Sequence, residues 1–229
     1  MSASPVLLIF FGVIAVIILV VVLAWHRQKV AQERTEHLQA IANLLGWQFS
    51  QQAPMDWIPG MERFALFNTG HSKRIRNIMY GHAQGIKSAL FDYEYTTGSG
   101  KSRTHHYQSV VYFEPGDLNV PFFSLRPENF LHKFISALGY QDIDFGNRPD
   151  FSGNYLLRGN DEPAIRNTFS DAMLAFYEQN PGTSTDGGGN QIFIFRDRHT
   201  VPPEQIRGFI DWAARLQVVF PRRHQARVT

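Results

Sequence analysis

The chain has 229 residues, of which 22 are lysine or arginine and 20 are aspartate or glutamate, so its formal net charge at pH 7 is +2. A charge this close to zero excludes a strong general attraction for nucleic acid, and the absence of cysteine excludes disulfides and thiolate chemistry. The length and the 19 phenylalanines provide enough apolar material for one sizeable domain or two small ones.

The first element is an uncharged apolar run at residues 5–25, which follows the short tail 1–4. A helix rises about 1.5 Å per residue, so this run reaches about 30 Å, the hydrocarbon thickness of a bilayer. We therefore predict that residues 5–25 form a transmembrane helix with the lipid bilayer as its partner. A cleaved signal peptide is the alternative, although residues 1–4 carry no lysine or arginine and the run exceeds the usual apolar length.

Flanking charge predicts the orientation of this helix. Three basic side chains lie within residues 26–34, whereas residues 1–4 carry none. The positive-inside rule then predicts a single-pass protein of the inner (plasma) membrane, with its N-terminus outside and its C-terminal domain in the cytoplasm. Helical periodicity continues up to Gly46, so residues 26–46 are predicted to form a juxtamembrane stalk helix.

Residues 47–220 are predicted to form one soluble α+β domain. Four segments are rich in aromatic or β-branched residues and are separated by turn sequences, which indicates an antiparallel meander of strands at 77–82, 88–96, 105–113 and 121–125. In the second segment, aromatic residues alternate with acidic ones. We therefore expect the aromatic side chains in the core and the acidic ones in solvent; they are Phe91, Tyr93 and Tyr95, and Asp92 and Glu94.

The C-terminal half repeats another pattern three times: a short apolar strand ends in arginine, a turn with Glu and Pro follows, and an amphipathic helix begins. The strands lie at 122–126, 155–158 and 192–196, and the helices end near residues 138, 179 and 220. The glycine-rich segment 181–190 is predicted to be a flexible loop, and 221–229 a basic tail. The predicted fold class is α+β: an N-terminal transmembrane helix followed by an antiparallel meander and three strand-helix units.

Arg126, Arg158 and Arg196 end the three predicted strands and are the candidate ligand-binding residues. If these strands were neighbours that run the same way, the guanidinium groups would converge beside three helix N-termini, and both features favour anions. This geometry predicts a site for an anionic small molecule or a lipid headgroup, with a protein partner as the other candidate. The alternative is that each arginine pairs locally with Glu128, Glu162 or an aspartate such as Asp197.

The remaining motifs predict neither a cofactor nor a metal. The sequence TGSGKS at 97–102 ends like a P-loop, but Tyr95 replaces the first glycine and a strand-like segment follows, which indicates a hairpin tip. His105 and His106 are adjacent in a strand and point to opposite faces, so they cannot chelate one ion together. We expect one of them in the core and the other in water.

The leading functional prediction is a membrane-anchored module that binds a protein partner or an anionic ligand without catalysis. The chain contains no Gly-x-Ser-x-Gly elbow and no cysteine that could act as nucleophile. The alternative is a membrane-associated hydrolase or transferase, in which Asp92, Glu94 or His105 would transfer protons while the arginines hold an anion.

Two stretches of the domain resemble a known family. The sequence FDYEYTTGSGK at 91–101 with Gln108, and PDFSGNYLLRG at 149–159 with the triple glycine 187–189, are similar to a family of uncharacterised bacterial single-pass membrane-anchored proteins. The resemblance covers most of the soluble domain and implies a bacterial membrane protein. It implies no activity and no site residues.

Overall fold

The computed structural model describes residues 5–128 and 142–222, and it begins with one continuous helix, α1 (Pro5–Leu44). The helix joins the predicted transmembrane and stalk segments. Its apolar part has the length and composition to cross a membrane, features that a signal sequence near an N-terminus shares. Gly46, at a φ of 68°, follows the helix as predicted, because glycine adopts this left-handed conformation without strain.

Four strands follow α1 and pair with one another in chain order. They are β1 (Gln48–Ala53), β2 (His71–Ala83), β3 (Ile86–Thr97) and β4 (Thr104–Glu114), each antiparallel to the next. Between β1 and β2 the chain forms a 3-10 turn (Met61–Arg63) and the short helix α2 (Ala65–Asn68). The turn sequences Gln84-Gly85 and Gly98-Ser99-Gly100 predict hairpins, and both hairpins are confirmed, whereas the polar strand β1 was not predicted.

The second half completes a single eight-stranded sheet. Its elements are β5 (Val120–Pro127), α3 (Pro149–Ser152), β6 (Tyr155–Gly159), α4 (Glu162–Thr168), α5 (Asp171–Gln179), β7 (Ser184–Gly189), β8 (Gln191–Phe195), a 3-10 turn (Pro203–Gln205) and α6 (Ile206–Val219). The strand order is β1-β2-β3-β4-β8-β7-β5-β6, and all neighbours are antiparallel. The predicted α+β class is confirmed.

The order of the strands differs from the predicted meander. The segment 121–125 was expected to pair with β4, but β8 pairs with β4 instead, and β5 lies between β7 and β6. The reason is burial, because the apolar side chains of β8 are fully enclosed at the centre of the sheet. The second predicted helix is divided into α4 and α5. The helix expected to end near residue 138 and the tail beyond residue 222 lie outside the described residues.

The glycine-rich segment was predicted wrongly as a flexible loop, because it contains the buried strand β7. A Cβ atom on Gly187 would lie 2.3 Å from the ring of Phe123, and one on Gly188 would lie 2.4 Å from the ring of Phe122. The missing side chains let two phenylalanine rings pack directly on the backbone of β7. These glycines therefore serve close packing rather than flexibility.

Gly187→Ala should lower the free energy of unfolding by about 1–3 kcal/mol, because the new methyl group overpacks the Phe123 ring. Gly208→Ala is the matched control: it lies in α6 with no atom within 4 Å of its Cβ position, and it should stabilise the protein by up to about 1 kcal/mol. Urea unfolding of both variants makes the comparison. Equal effects of the two substitutions would contradict the position of β7.

Both faces of the sheet are covered. One face packs against the C-terminal part of α1 and against α4, α5 and α6. The other face packs against the 3-10 turn Met61–Arg63 and α2. The aromatic side chains of β3 lie in the second core, as predicted. The acidic side chains of β3 were expected in solvent, but they do not face open solvent. The helix α1 extends beyond the apolar run and covers Asp92.

Candidate functional site

Arg34 fixes the helix α1 to the sheet. Its guanidinium donates to both carboxylate oxygens of Asp92, at 2.8 Å and 2.7 Å, and to the carbonyl oxygen of Val201 at 2.8 Å. The same carboxylate accepts hydrogen bonds from the Asn77 amide at 2.9 Å and the Ser109 hydroxyl at 3.0 Å. The side chains of Arg34 and Asp92 are only 18% and 12% exposed, so this ion pair joins α1 to the sheet largely out of water.

The residues considered for acid–base chemistry all have protein partners. Both oxygens of Asp92 are bound as described, and a carboxylate oxygen of Glu94 lies 2.9 Å from Nε of Arg76. The Nδ1 atom of His105 lies 3.1 Å from the hydroxyl oxygen of Thr96. A general base needs a lone pair that faces substrate, and these contacts already occupy both oxygens of Asp92.

The histidine pair takes the predicted arrangement. His106 is buried, with its ring centroid 4.7 Å from that of Tyr95 and Nε2 2.7 Å from the Thr97 hydroxyl, whereas His105 is exposed. The two rings lie on opposite faces of β4. Within residues 5–128 and 142–222, no group of three or more His, Asp or Glu side chains is placed to hold a metal ion.

The three arginines predicted to bind a ligand do not converge. Arg126 and Arg158 lie on the neighbouring strands β5 and β6, but these strands are antiparallel. In their register Arg126 lies opposite Leu156, and Arg158 lies opposite Ser124. Arg196 follows β8, which β7 separates from β5. The predicted convergence required three neighbouring strands that run the same way. β5 and β8 run the same way but have β7 between them, and β6 runs the opposite way. Binding of a ligand by any one of the three stays a prediction.

Arg126 and Arg196 contact other parts of the protein. Arg126 donates to the fully buried carboxylate of Asp186 at 2.6 Å, and that carboxylate also accepts from the backbone N–H of Leu66 at 2.7 Å. Burial alone would lower the pKa of Arg126, but the charge of Asp186 outweighs it and raises that pKa, so Arg126 stays charged. The Arg196 guanidinium lies 5.4 Å from the ring centroid of Trp212 on α6.

Arg158 lines a cleft of about 360 Å³. The 3-10 turn Met61–Arg63 and α2 form one side of this cleft, and β5 and β6 form the other. Arg63 lies in the same cleft, with its guanidinium carbon 4.0 Å from the ring centroid of Phe122. Among the described residues, neither guanidinium has a carboxylate partner within 4 Å, and Nε of Arg158 is buried without an acceptor. The neutral polar residues of this Arg63–Arg158 cleft are Asn68, Ser124 and Asn160.

A second cavity of about 310 Å³ lies beside α1 and has a different charge balance. It also contains two arginines, but Arg34 is paired with Asp92 and Arg76 with Glu94. Paired charges neutralise each other and leave little attraction for an anion. The Arg63–Arg158 cleft is therefore the better candidate site for a negatively charged ligand.

Comparison with solved structures finds a similar fold in the mycobacterial trehalose monomycolate transport factor A, TtfA. The TM-score is 0.56 and the sequence identity 12%, over 84% of this chain and 98% of that chain. Neither family models nor curated protein sequences give a match. At this identity the likeness shows the fold alone, and it agrees with the α+β architecture described above.

Proposed function

We propose that this protein is a membrane-anchored accessory protein whose domain binds an anionic ligand in the Arg63–Arg158 cleft and carries out no catalysis. The observation that carries the proposal is the pair of arginines that line one cleft and have no carboxylate within 4 Å among the described residues. Guanidinium groups form strong, directional hydrogen bonds with phosphate and carboxylate oxygens. The ligand class is therefore a compound with a phosphate or carboxylate group.

The lining of the cleft supports a ligand that is anionic at one end and apolar elsewhere. Arg63 stacks on the face of Phe122, which holds its guanidinium in place and leaves the N–H groups at its edge able to donate. Phe64 and Phe122 pack together beside it, with ring centroids 5.4 Å apart, and add apolar surface. Both a lipid headgroup and a phosphorylated metabolite present this chemistry.

Three further observations support an accessory role at the membrane. The helix α1 is long and apolar enough to act as the anchor, and the positive-inside argument favours a cytoplasmic domain. The carboxylates considered for catalysis are held in ion pairs. The structural neighbour is, by its name, a trehalose monomycolate transport factor, and an accessory role of this chain in transport at a membrane agrees with that name.

Titration of the full-length protein in phosphatidylcholine nanodiscs with inorganic phosphate tests the proposal. We expect saturable binding that weakens at least about tenfold in the variant Arg63→Ala/Arg158→Ala, because each guanidinium contributes charge-assisted hydrogen bonds. The matched control Arg207→Ala/Arg215→Ala removes two exposed arginines from α6 and should bind like the wild type. No saturable binding, or equal binding by the cleft variant and the wild type, would contradict the proposal.

A second titrant distinguishes the two sources of the anion. Dihexanoyl phosphatidic acid carries the same phosphate group with short acyl chains. Tighter binding of this lipid than of inorganic phosphate would identify a lipid headgroup, because the acyl part gains contact with the apolar side of the cleft. Equal binding would identify a free phosphorylated compound.

A further inference from the structure

The contacts of α1 define which end of the sheet is nearest to its apolar part. The Thr35 hydroxyl lies 2.8 Å from Oδ1 of Asn77, and beyond the helix Nε1 of Trp47 donates to the carbonyl oxygen of His82 at 3.3 Å. Between these two contacts, residues 35–47 therefore run alongside β2 and in the same direction as that strand. Toward its N-terminus, α1 points to the start of β2 and to the end of the antiparallel strand β3.

Distances along the helix and the strand place the hairpin between β3 and β4 near the end of the apolar run. From Arg34 back to Trp25, the last residue of that run, α1 covers about 14 Å at 1.5 Å per residue. From Asp92, which binds Arg34, to Thr97 at the end of β3 the strand covers about 17 Å. The hairpin tip, residues 98–103, therefore lies about level with Trp25.

The hairpin tip is basic and exposed. Lys101 and Arg103 are both exposed, and neither has a carboxylate within 4 Å among the described residues. Gly98 and Gly100, with φ values of 73° and 55°, form the tight turn that projects these side chains beyond the sheet. Arg27 on α1 is also exposed close to Trp25. Basic charge thus collects at the level where the apolar helix segment ends.

We propose that the hairpin tip 98–103 is a second membrane contact, in which Lys101 and Arg103 bind anionic phospholipid headgroups of the bilayer that α1 enters. The TGSGKS sequence would then bind phosphate at the bilayer surface, although its hairpin geometry excludes the helix of a nucleotide-binding loop. Each cation near an anionic surface favours the bound orientation by about fivefold. The proposal requires α1 in the membrane but is independent of the Arg63–Arg158 cleft.

The chain contains no cysteine, so a single introduced cysteine carries a spin label without side reactions. Ser102→Cys labels the tip, and Gly116→Cys labels an exposed turn at the opposite end of β4, about 35 Å away. Each labelled full-length protein is placed in nanodiscs of phosphatidylcholine, with or without about 30 mol% phosphatidylglycerol. Collision of the label with a water-soluble nickel chelate, measured by power saturation, reports its access to water.

We expect phosphatidylglycerol to lower the nickel accessibility of the label at 102 severalfold and to leave the label at 116 unchanged. Molar salt should reverse the effect, because it shortens the screening length to about 3 Å. Lys101→Ala/Arg103→Ala should abolish the response, whereas Arg207→Ala/Arg215→Ala should keep it. Equal accessibility of the tip in both lipid mixtures, or an unchanged response after removal of the two tip charges, would overturn the proposal.

Discussion

Replacing Arg34 by alanine should lower the free energy of unfolding of the domain by about 3–5 kcal/mol. The substitution leaves the Asp92 carboxylate largely buried without its cation, and an uncompensated buried charge is strongly destabilising. It also removes the hydrogen bond to the Val201 carbonyl oxygen. Urea unfolding of the full-length protein in nanodiscs, followed by tryptophan fluorescence, measures this loss.

Two controls separate this effect from a general disturbance of α1. Glu33→Ala breaks the exposed pair with Lys29, at 3.9 Å on the same helix, and should change stability by no more than about 0.5 kcal/mol. Arg34→Met/Asp92→Leu removes both charges together and should recover part of the loss. If Arg34→Ala costs no more than Glu33→Ala, the ion pair does not hold α1 on the sheet.

Asp186→Ala should be about as destabilising, by about 3–5 kcal/mol, because Arg126 would lose the carboxylate that balances its charge in the interior. The backbone N–H of Leu66 would lose its acceptor as well, so the start of α2 would lose this hydrogen bond to β7. Thermal or urea unfolding of the variant reports the size of the effect.

The matched comparison is an exposed ion pair elsewhere in the domain. Glu162→Ala breaks the exposed pair with Arg166 on α4 and should cost no more than about 1 kcal/mol. Arg126→Met/Asp186→Ala removes both charges of this ion pair and should be more stable than Asp186→Ala alone. A double variant that is less stable than Asp186→Ala would show that the ion pair is not the reason for the loss.

Local sequence patterns predicted those parts of the fold that depend on neighbouring residues. The apolar run, the hairpin turns at Gln84-Gly85 and 98–100, and the aromatic face of β3 follow from composition, turn residues and alternation within a few positions. The position of β7 could not be predicted in this way. Its glycines resemble a linker, and only the rings of Phe122 and Phe123 on an adjacent strand explain them.

The candidate site was predicted only in part for the same reason. Arg158 was identified from its position at the end of a strand, but Arg63 lies in an irregular segment that carries no motif. The ion pair of Arg126 joins residues 60 positions apart, and that of Arg34 joins residues 58 positions apart. No local pattern indicates such pairs, so sequence alone could not separate arginines held by the protein from those that face a cleft.

Native mass spectrometry of the full-length protein released directly from its own membranes tests the proposed function most directly. The account predicts that the wild type and Arg207→Ala/Arg215→Ala retain a phosphate- or carboxylate-containing compound, and that Arg63→Ala/Arg158→Ala loses it while remaining folded. An identical set of bound compounds in all three proteins, or a wild type that carries only neutral ones, would contradict the account.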